Sequence, residues 1–297
     1  MEFAIFSQAA RGMMIVTTFF NIFWKTRQML KIGFLGGGNM ARAIVAGLVS
    51  SGADPKLVTV MDRHPEKLAA LREQFGITTQ EKPGDWITAL DVVVLAVKPQ
   101  GLKECCEQVA SLVSPETTVL SIAAAVRADV IAEWLGTCRV VRCIPNTPSM
   151  VGKGFSGLYA GPRTTEDDRT RSQYVMQTVG DLEWVESEDD LHLVTAGPGS
   201  GPAYVFLFME ALADALVQEG LTPEKAKEFA LSTVEGAAAL ARTSGEAFDV
   251  LRHNVTSKGG TTAKAIEAFE AHDLRGTVKA AVQACRARSK EMSELFS

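Results

Sequence analysis

The sequence predicts an α/β fold, a doubly wound parallel sheet followed by an all-helical C-terminal domain. Three observations predict it. A strand, a glycine turn and a helix run together in "KIGFLGGGNMARA" (residues 31–43). Short apolar runs then alternate with helical stretches as far as about residue 145, which implies parallel strands joined by helical crossovers. From about Leu191 the pattern becomes almost wholly helical.

Each element has a local reason. Ile32, Phe34 and Leu35 suit a short buried strand, Gly36 and Gly38 a tight turn, and residues 40–48 carry apolar side chains at helical spacing. In G-x-G-x-x-A form, Gly36 permits the turn, Gly38 lets backbone N–H groups approach a pyrophosphate, and Ala41 allows close helix–strand packing. Asn39 and Met40 then open a helix whose N-terminus faces the anion. "LVTVMD" (57–62) reads as the second strand and "HPEKLAALREQF" as a helix with Pro65 in its first turn. "DVVVLAVKP" (91–99) is a continuous apolar run of parallel-strand type, followed by a helix through Val113 and the strands "TTVLSIA" and "CRVVRCIP". A doubly wound sheet binds ligands at the carboxyl ends of its strands. The stretches of interest are therefore 36–39, 62–64, 96–100 and 145–148.

The C-terminal part differs. "PAYVFLFMEALADALVQEG" (202–220) is apolar on most faces, which a lone surface helix does not tolerate, so it is expected to be buried, and against a second copy of the chain. The next helix has Thr222 as N-cap, Pro223 at its first position and Gly245 past its end.

At 297 residues the chain suggests two domains, drawn at 29–190 and 191–297. Hydrophobic content of 46%, charged content of 22% and a net charge of -5 describe an ordinary soluble, mildly acidic protein with no basic stripe for nucleic acid. Five cysteines, odd in number and without zinc-like spacing, indicate neither a disulfide framework nor a metal, and fit reduced thiols in the cytoplasm. The apolar stretch between Arg11 and Lys25 is too short to span a membrane and no small-x-small cleavage site follows it. Because Met29 stands just before the first strand, residues 1–28 read as a non-native or disordered extension from an upstream misassigned start.

Three further stretches carry chemistry. "CIPNTPSMVGKG" (143–154) sets Asn146 and Thr147 between two prolines just after a strand, restricting the backbone that aims them. "TAGPGSGPAY" (195–204) reads equally as a domain hinge or as a plain loop leading into the helix. In "VTSKGGTTAKAIEAFE" (255–270), Ser257, Gly259, Gly260, Thr261 and Thr262 lead directly into a helix. Hydroxyls and N–H groups there converge on a helix N-terminus, a cradle for a carboxylate or phosphate.

"GFLGGGNMA", "AVKPQ", "RCIPNTPSMVGKG", "GSGPAYVF" and "VTSKGGTT", in this order and spacing, resemble pyrroline-5-carboxylate reductase from about Lys31 to the C-terminus. Gly197 and Pro198 stand where that family more often has Leu-Ser, and Lys258 where it usually has proline. The resemblance implies a Rossmann-type NAD(P)-binding domain and a helical substrate-binding and dimerisation domain. It also implies reduction of 1-pyrroline-5-carboxylate to L-proline, and a homodimer able to assemble into larger rings. NADPH or NADH would lie over Gly36, Gly38, Asn39 and Met40, with Ala96, Val97, Lys98 and Asn146 near its nicotinamide end. The substrate carboxylate would sit on Ser257 and the backbone at Gly260 and Thr261, with the Thr262 hydroxyl on the ring nitrogen.

Asp62 ends the second strand, where a carboxylate would hydrogen-bond an adenosine ribose and repel a 2'-phosphate, while Arg63 and His64 follow and could pair with that phosphate. The cofactor preference stays open. No strong general acid stands out, and an imine does not demand one, because its nitrogen is basic enough to be protonated near neutral pH. A 3-hydroxyacid dehydrogenase would resemble its relatives in using a lysine at the start of the long helix, and this chain has none between Lys153 and Lys225. A nucleotide-binding protein without catalysis would not need the Ser–Gly–Thr anchor.

Overall fold

The computed structural model describes residues 29–136 and 139–296, so the extension read at 1–28 lies outside the described residues. Contacts divide the described residues into two compact units, one running as far as Gly199 and taking in the residues from Ser289 on, the other Ser200–Arg288.

The first unit is built on eight strands: β1 (Ile32–Leu35), β2 (Val58–Met61), β3 (Thr78–Gln80), β4 (Val92–Leu95), β5 (Thr118–Ser121), β6 (Val140–Ile144), β7 (Gly154–Ala160) and β8 (Gly180–Trp184). They form one sheet in the order β3-β2-β1-β4-β5-β6-β7-β8. Ile32 pairs with Val58 on one side and Val92 on the other, so β1 lies at the point where the strand order reverses. The sheet is not wholly parallel, because β7 runs antiparallel to β6. Residues 145–153 between them are fewer than the dozen or so that a parallel crossover needs.

Strands β1, β4, β5 and β6 are buried along their whole length; β1 and β4 for that reason carry no polar side chain, whereas β5 and β6 also bury Thr118, Ser121 and Arg142. Alternate side chains feed two cores. Ile32, Phe34, Val92 and Val94 pack with Ile44, Val45 and Leu48 of α1 (Asn39–Ser50) and with Tyr174 to Met176 of a later helix. Leu35, Val93 and Leu95 face Leu102 and Cys106 of a second helix and Ile131 of a third. The remaining helices of this unit are α2 (Pro65–Phe75), α3 (Leu102–Val109, shorter than the stretch through Val113), α4 (Ala128–Leu135), α5 (Glu166–Met176) and α6 (Leu191–Val194). A π-helical turn, Thr195–Gly199, follows with Pro198 inside it.

The second unit is helical: α7 (Gly201–Gln218), α8 (Pro223–Ser244), α9 (Phe248–Asn254), α10 (Thr261–Ala271) and α11 (Leu274–Glu294), whose last residues group with the first unit. Thr222 caps α8 by accepting the Lys225 N–H, and Gly245 ends it in the left-handed conformation. The expectation that the apolar helix is buried is not met within this chain. No residue of α7 is buried, and Phe206 and Leu207 are 62% and 65% exposed. Helix α7 packs along α8, and one such neighbour leaves most of an all-round apolar helix uncovered. Among the described residues, the run Glu188–Gln218 alone has the length and hydropathy of a membrane span, with Glu210 and Asp214 within it.

Candidate active site

The glycine turn sits at the carboxyl end of β1. Gly36 has φ +108°, and its N–H donates to the Met61 carbonyl oxygen (2.8 Å). A Cβ there would lie 2.7 Å from the Ala96 carbonyl oxygen, so only glycine fits where the ends of β1 and β4 meet. Gly38, by contrast, faces open space: no atom lies within 4 Å of where its Cβ would be. It N-caps α1, no side chain caps that helix, and its first turn holds no acidic residue. A pyrophosphate fits such a turn, because backbone approaches it without a Cβ and the first N–H groups of α1 have no competing carboxylate. Asn39 is exposed, whereas Met40 is half-buried against the core of α1.

Asp62 stands beside the turn rather than out from it. Gly37 N–H donates to its Oδ2 (2.9 Å), His64 N–H donates to its Oδ1 (3.0 Å), and the His64 ring Nδ1 lies 2.7 Å from the same oxygen. Burial pushes the carboxyl up, and these hydrogen bonds, with Lys67 nearby, outweigh burial and hold it below its ordinary value. Arg63 is exposed at the next position. Ala96, Val97 and exposed Lys98 follow β4, with the Ala96 N–H donating to the Leu35 carbonyl (2.9 Å), so this stretch lines the same edge as Gly36.

Asn146 follows β6 and is 7% exposed. Its Nδ2 donates to the Pro198 carbonyl (2.9 Å) and its Oδ1 accepts the Phe155 N–H (2.9 Å). It therefore ties the loop after β6 to the start of β7 and to the π-helical turn. The adjoining 3-10 turn, Thr147–Val151, packs against α1. Cys143, three residues earlier, is a packing thiol, pushed up to about 12 by burial. Among the described residues no group of three or more His, Cys, Asp or Glu side chains is placed to hold a metal ion.

One position at this edge carries no sequence signal. Ala125, after β5, has φ +70°, and the Val126 N–H donates across it to the Ala124 carbonyl (2.9 Å). That is a strained γ-turn in the row of loops that carries Ala96 and Asn146. Glycine would have announced it; alanine does not.

In the second unit, residues 257–260 form a turn closed by the Gly260 N–H donating to the Ser257 carbonyl (3.0 Å), with Gly259 at φ +74°. Gly260 N-caps α10, and a Cβ there would collide with Ser257 Oγ. Because the Gly260 N–H is committed to the turn, the uncapped donors are those of Thr261 and the residues after it. Ser257, Thr261 and Thr262 are exposed in this chain, beside the uncapped start of α10.

Residues 188–292 match the family model described as pyrroline-5-carboxylate reductase dimerisation, and residues 31–125 the model described as NADP oxidoreductase, coenzyme F420-dependent. The pyrroline-5-carboxylate reductase of Haemophilus influenzae is 39% identical over 267 residues, covering 89% of this chain and 98% of the relative. The chain belongs to the pyrroline-5-carboxylate reductase family. The Vibrio alginolyticus member is 40% identical over 268 residues. The solved structure of a pyrroline-5-carboxylate reductase from Coxiella burnetii matches with a TM-score of 0.85 at 42% identity, covering 89% of this chain and 99% of that one. The Plasmodium falciparum pyrroline carboxylate reductase, solved with NADP bound, matches at 0.78 and 26% identity, covering 89% and 98%.

Proposed function

We propose that the protein reduces 1-pyrroline-5-carboxylate to L-proline with NADPH or NADH, the last step of proline biosynthesis. The observation that carries this is the match to family members over nearly their whole length, at 39–40% identity. The bound nicotinamide supplies the hydride, which adds to the imine carbon while the ring nitrogen holds the proton that balances it.

The chain's own groups do the rest. The glycine turn and the start of α1 hold the dinucleotide through Gly36, Gly38, Asn39 and Met40, with Asp62 and Arg63 at its adenosine end. Ala96, Val97, Lys98 and Asn146 form the edge at its nicotinamide end. The Ser257 hydroxyl and the Thr261 N–H take the substrate carboxylate at the uncapped start of α10; Gly260, expected to donate as well, has its N–H committed to the Ser257 carbonyl and instead leaves room for the Ser257 side chain. Thr262 Oγ1 accepts the N–H of the protonated ring nitrogen, which orients the imine and stabilises its charge.

Residues 29–190 serve as the cofactor domain, and 191–297 as the substrate-binding and dimerisation domain. The working form is a cytoplasmic homodimer, from which larger rings can be built, and residues 1–28 are dispensable. The uncovered face of α7 supports a protein partner over lipid, since Glu210 and Asp214 in mid-helix would each be costly in a bilayer. Oxidation of NADPH and NADH, followed with 1-pyrroline-5-carboxylate, tests the proposal. Turnover with at least one cofactor is expected, and none with either would overturn it.

A further inference from the structure

Asp62 occupies the position from which a carboxylate reads the adenosine ribose in dinucleotide folds, yet its oxygens are engaged by its own chain. An ionised carboxylate has about four lone-pair directions. One is taken by the Gly37 N–H on Oδ2, and two by the His64 N–H and the His64 ring on Oδ1. Lys67 Nζ stands 4.0 Å from Oδ2, and the Asp62 side chain is only 11% exposed. The turn it grips is packed: a Cβ on Gly37 would lie 3.3 to 3.4 Å from Leu71, Val60 and Asp62 itself. Arg63, the next residue, is exposed, and the structure shows it no ion pair among the described residues.

We infer that Asp62 is a positioning residue, which pins the glycine turn to the end of β2 and acts on the dinucleotide through that turn. The inference rests on the proposed cofactor. The Gly37 N–H is then unavailable to a pyrophosphate, and its bond to Asp62 fixes the direction in which Gly38 and the first turn of α1 present theirs. A pin of this kind is indifferent to the 2'-position of the ribose. Its loss weakens NADH and NADPH by the same factor. A ribose reader behaves oppositely, because removing its charge costs NADH a hydrogen bond and relieves NADPH of a repulsion.

The test is direct binding of each cofactor to the full-length wild type, Asp62→Ala and Asp62→Asn, by quenching of intrinsic fluorescence, beside thermal melts of the same samples. Asn keeps an oxygen that accepts the Gly37 N–H and removes the charge. The expected result is a loss in Asp62→Ala of about tenfold or more, equal for NADH and NADPH within about twofold, as fits loss of the hydrogen bonds that set the turn. Asp62→Asn keeps the acceptor for Gly37 but turns an NH2 toward the His64 N–H, and is expected to recover part of the loss, equally for both. An NADPH-to-NADH affinity ratio raised about tenfold in either variant would overturn the inference and make Asp62 the ribose reader. Unchanged affinities with a lowered melting temperature would overturn it in favour of a purely structural residue. A wild type that binds neither dinucleotide would overturn the cofactor proposal itself.

Discussion

Thr262 is the second residue of α10, its side chain is exposed, and it is not the N-cap, so truncating it removes no cap and no buried contact. Thr262→Ala should therefore leave the melting temperature and cofactor affinity nearly intact. Loss of one oriented hydrogen bond to the reacting group should cost about 2 to 4 kcal/mol of transition-state stabilisation, read as a fall in kcat. Near-normal turnover would remove Thr262 from the chemistry. Ala125 presents the converse case, a residue under strain. At φ +70° its Cβ crowds the backbone by about 1–2 kcal/mol, while a glycine loses about 0.4–1 kcal/mol more chain entropy on folding. The net is about 0–1.6 kcal/mol, so Ala125→Gly should raise the melting temperature by no more than about 3 °C. A lowered value would show that the strain at Ala125 is smaller than the entropy that glycine loses.

Helix α5 illustrates how an element carries a pH dependence. Thr165 and Asp168 form a reciprocal cap at its start, and Asp168 also accepts from Thr118 Oγ1 (2.6 Å) on β5 and from Arg139 Nη2 (2.8 Å) just before β6. Burial pushes the Asp168 carboxyl up, and the hydrogen bonds from Arg139, Thr118 and Thr165 outweigh it, holding it below its ordinary 3.8. A carboxyl lowered in the folded state contributes stability that is fully present above its unfolded value and is lost as pH falls through the folded one. Acid unfolding below about pH 4 should therefore be shallower in Asp168→Asn than in wild type, with the variant less stable at neutral pH. Parallel acid-unfolding curves would show that Asp168 is not one of the groups that protonates. The glycine turn was legible at this scale because strand, turn and helix each have a local cause. The antiparallel β7 was not, since the loop after β6 carries the same proline and glycine signals whichever way the chain returns.

At the scale of the whole molecule, the apolar surface of α7 lies uncovered in a single chain. Phe206 and Leu207 stand exposed on it, and Phe229 and Leu240 on α8 are 52% and 54% exposed, an apolar surface of the kind a second copy buries. Light scattering at micromolar concentration should give a mass at least twice the 31.9 kDa of one chain, and Phe206→Glu should lower it. A stable wild-type monomer would sink the dimer.

The sequence by itself determined the alternation of strands and helices, the glycine turn, the caps of α8 and the Ser–Gly–Thr approach to α10, because each follows from side chains within a few residues of one another. It also marked α7 as apolar, since hydropathy is a property of composition. Only the tertiary structure decided which groups are already committed. Asp62 and Asn146 read as free polar side chains at strand ends, but Gly37, 25 residues away, and Pro198, 52 away, take up their hydrogen-bonding groups. The Gly260 N–H is likewise committed, to the Ser257 carbonyl, and Ala125 is held at positive φ. A buried polar group must find a partner, and which partner it finds depends on the strand order that brings distant segments side by side.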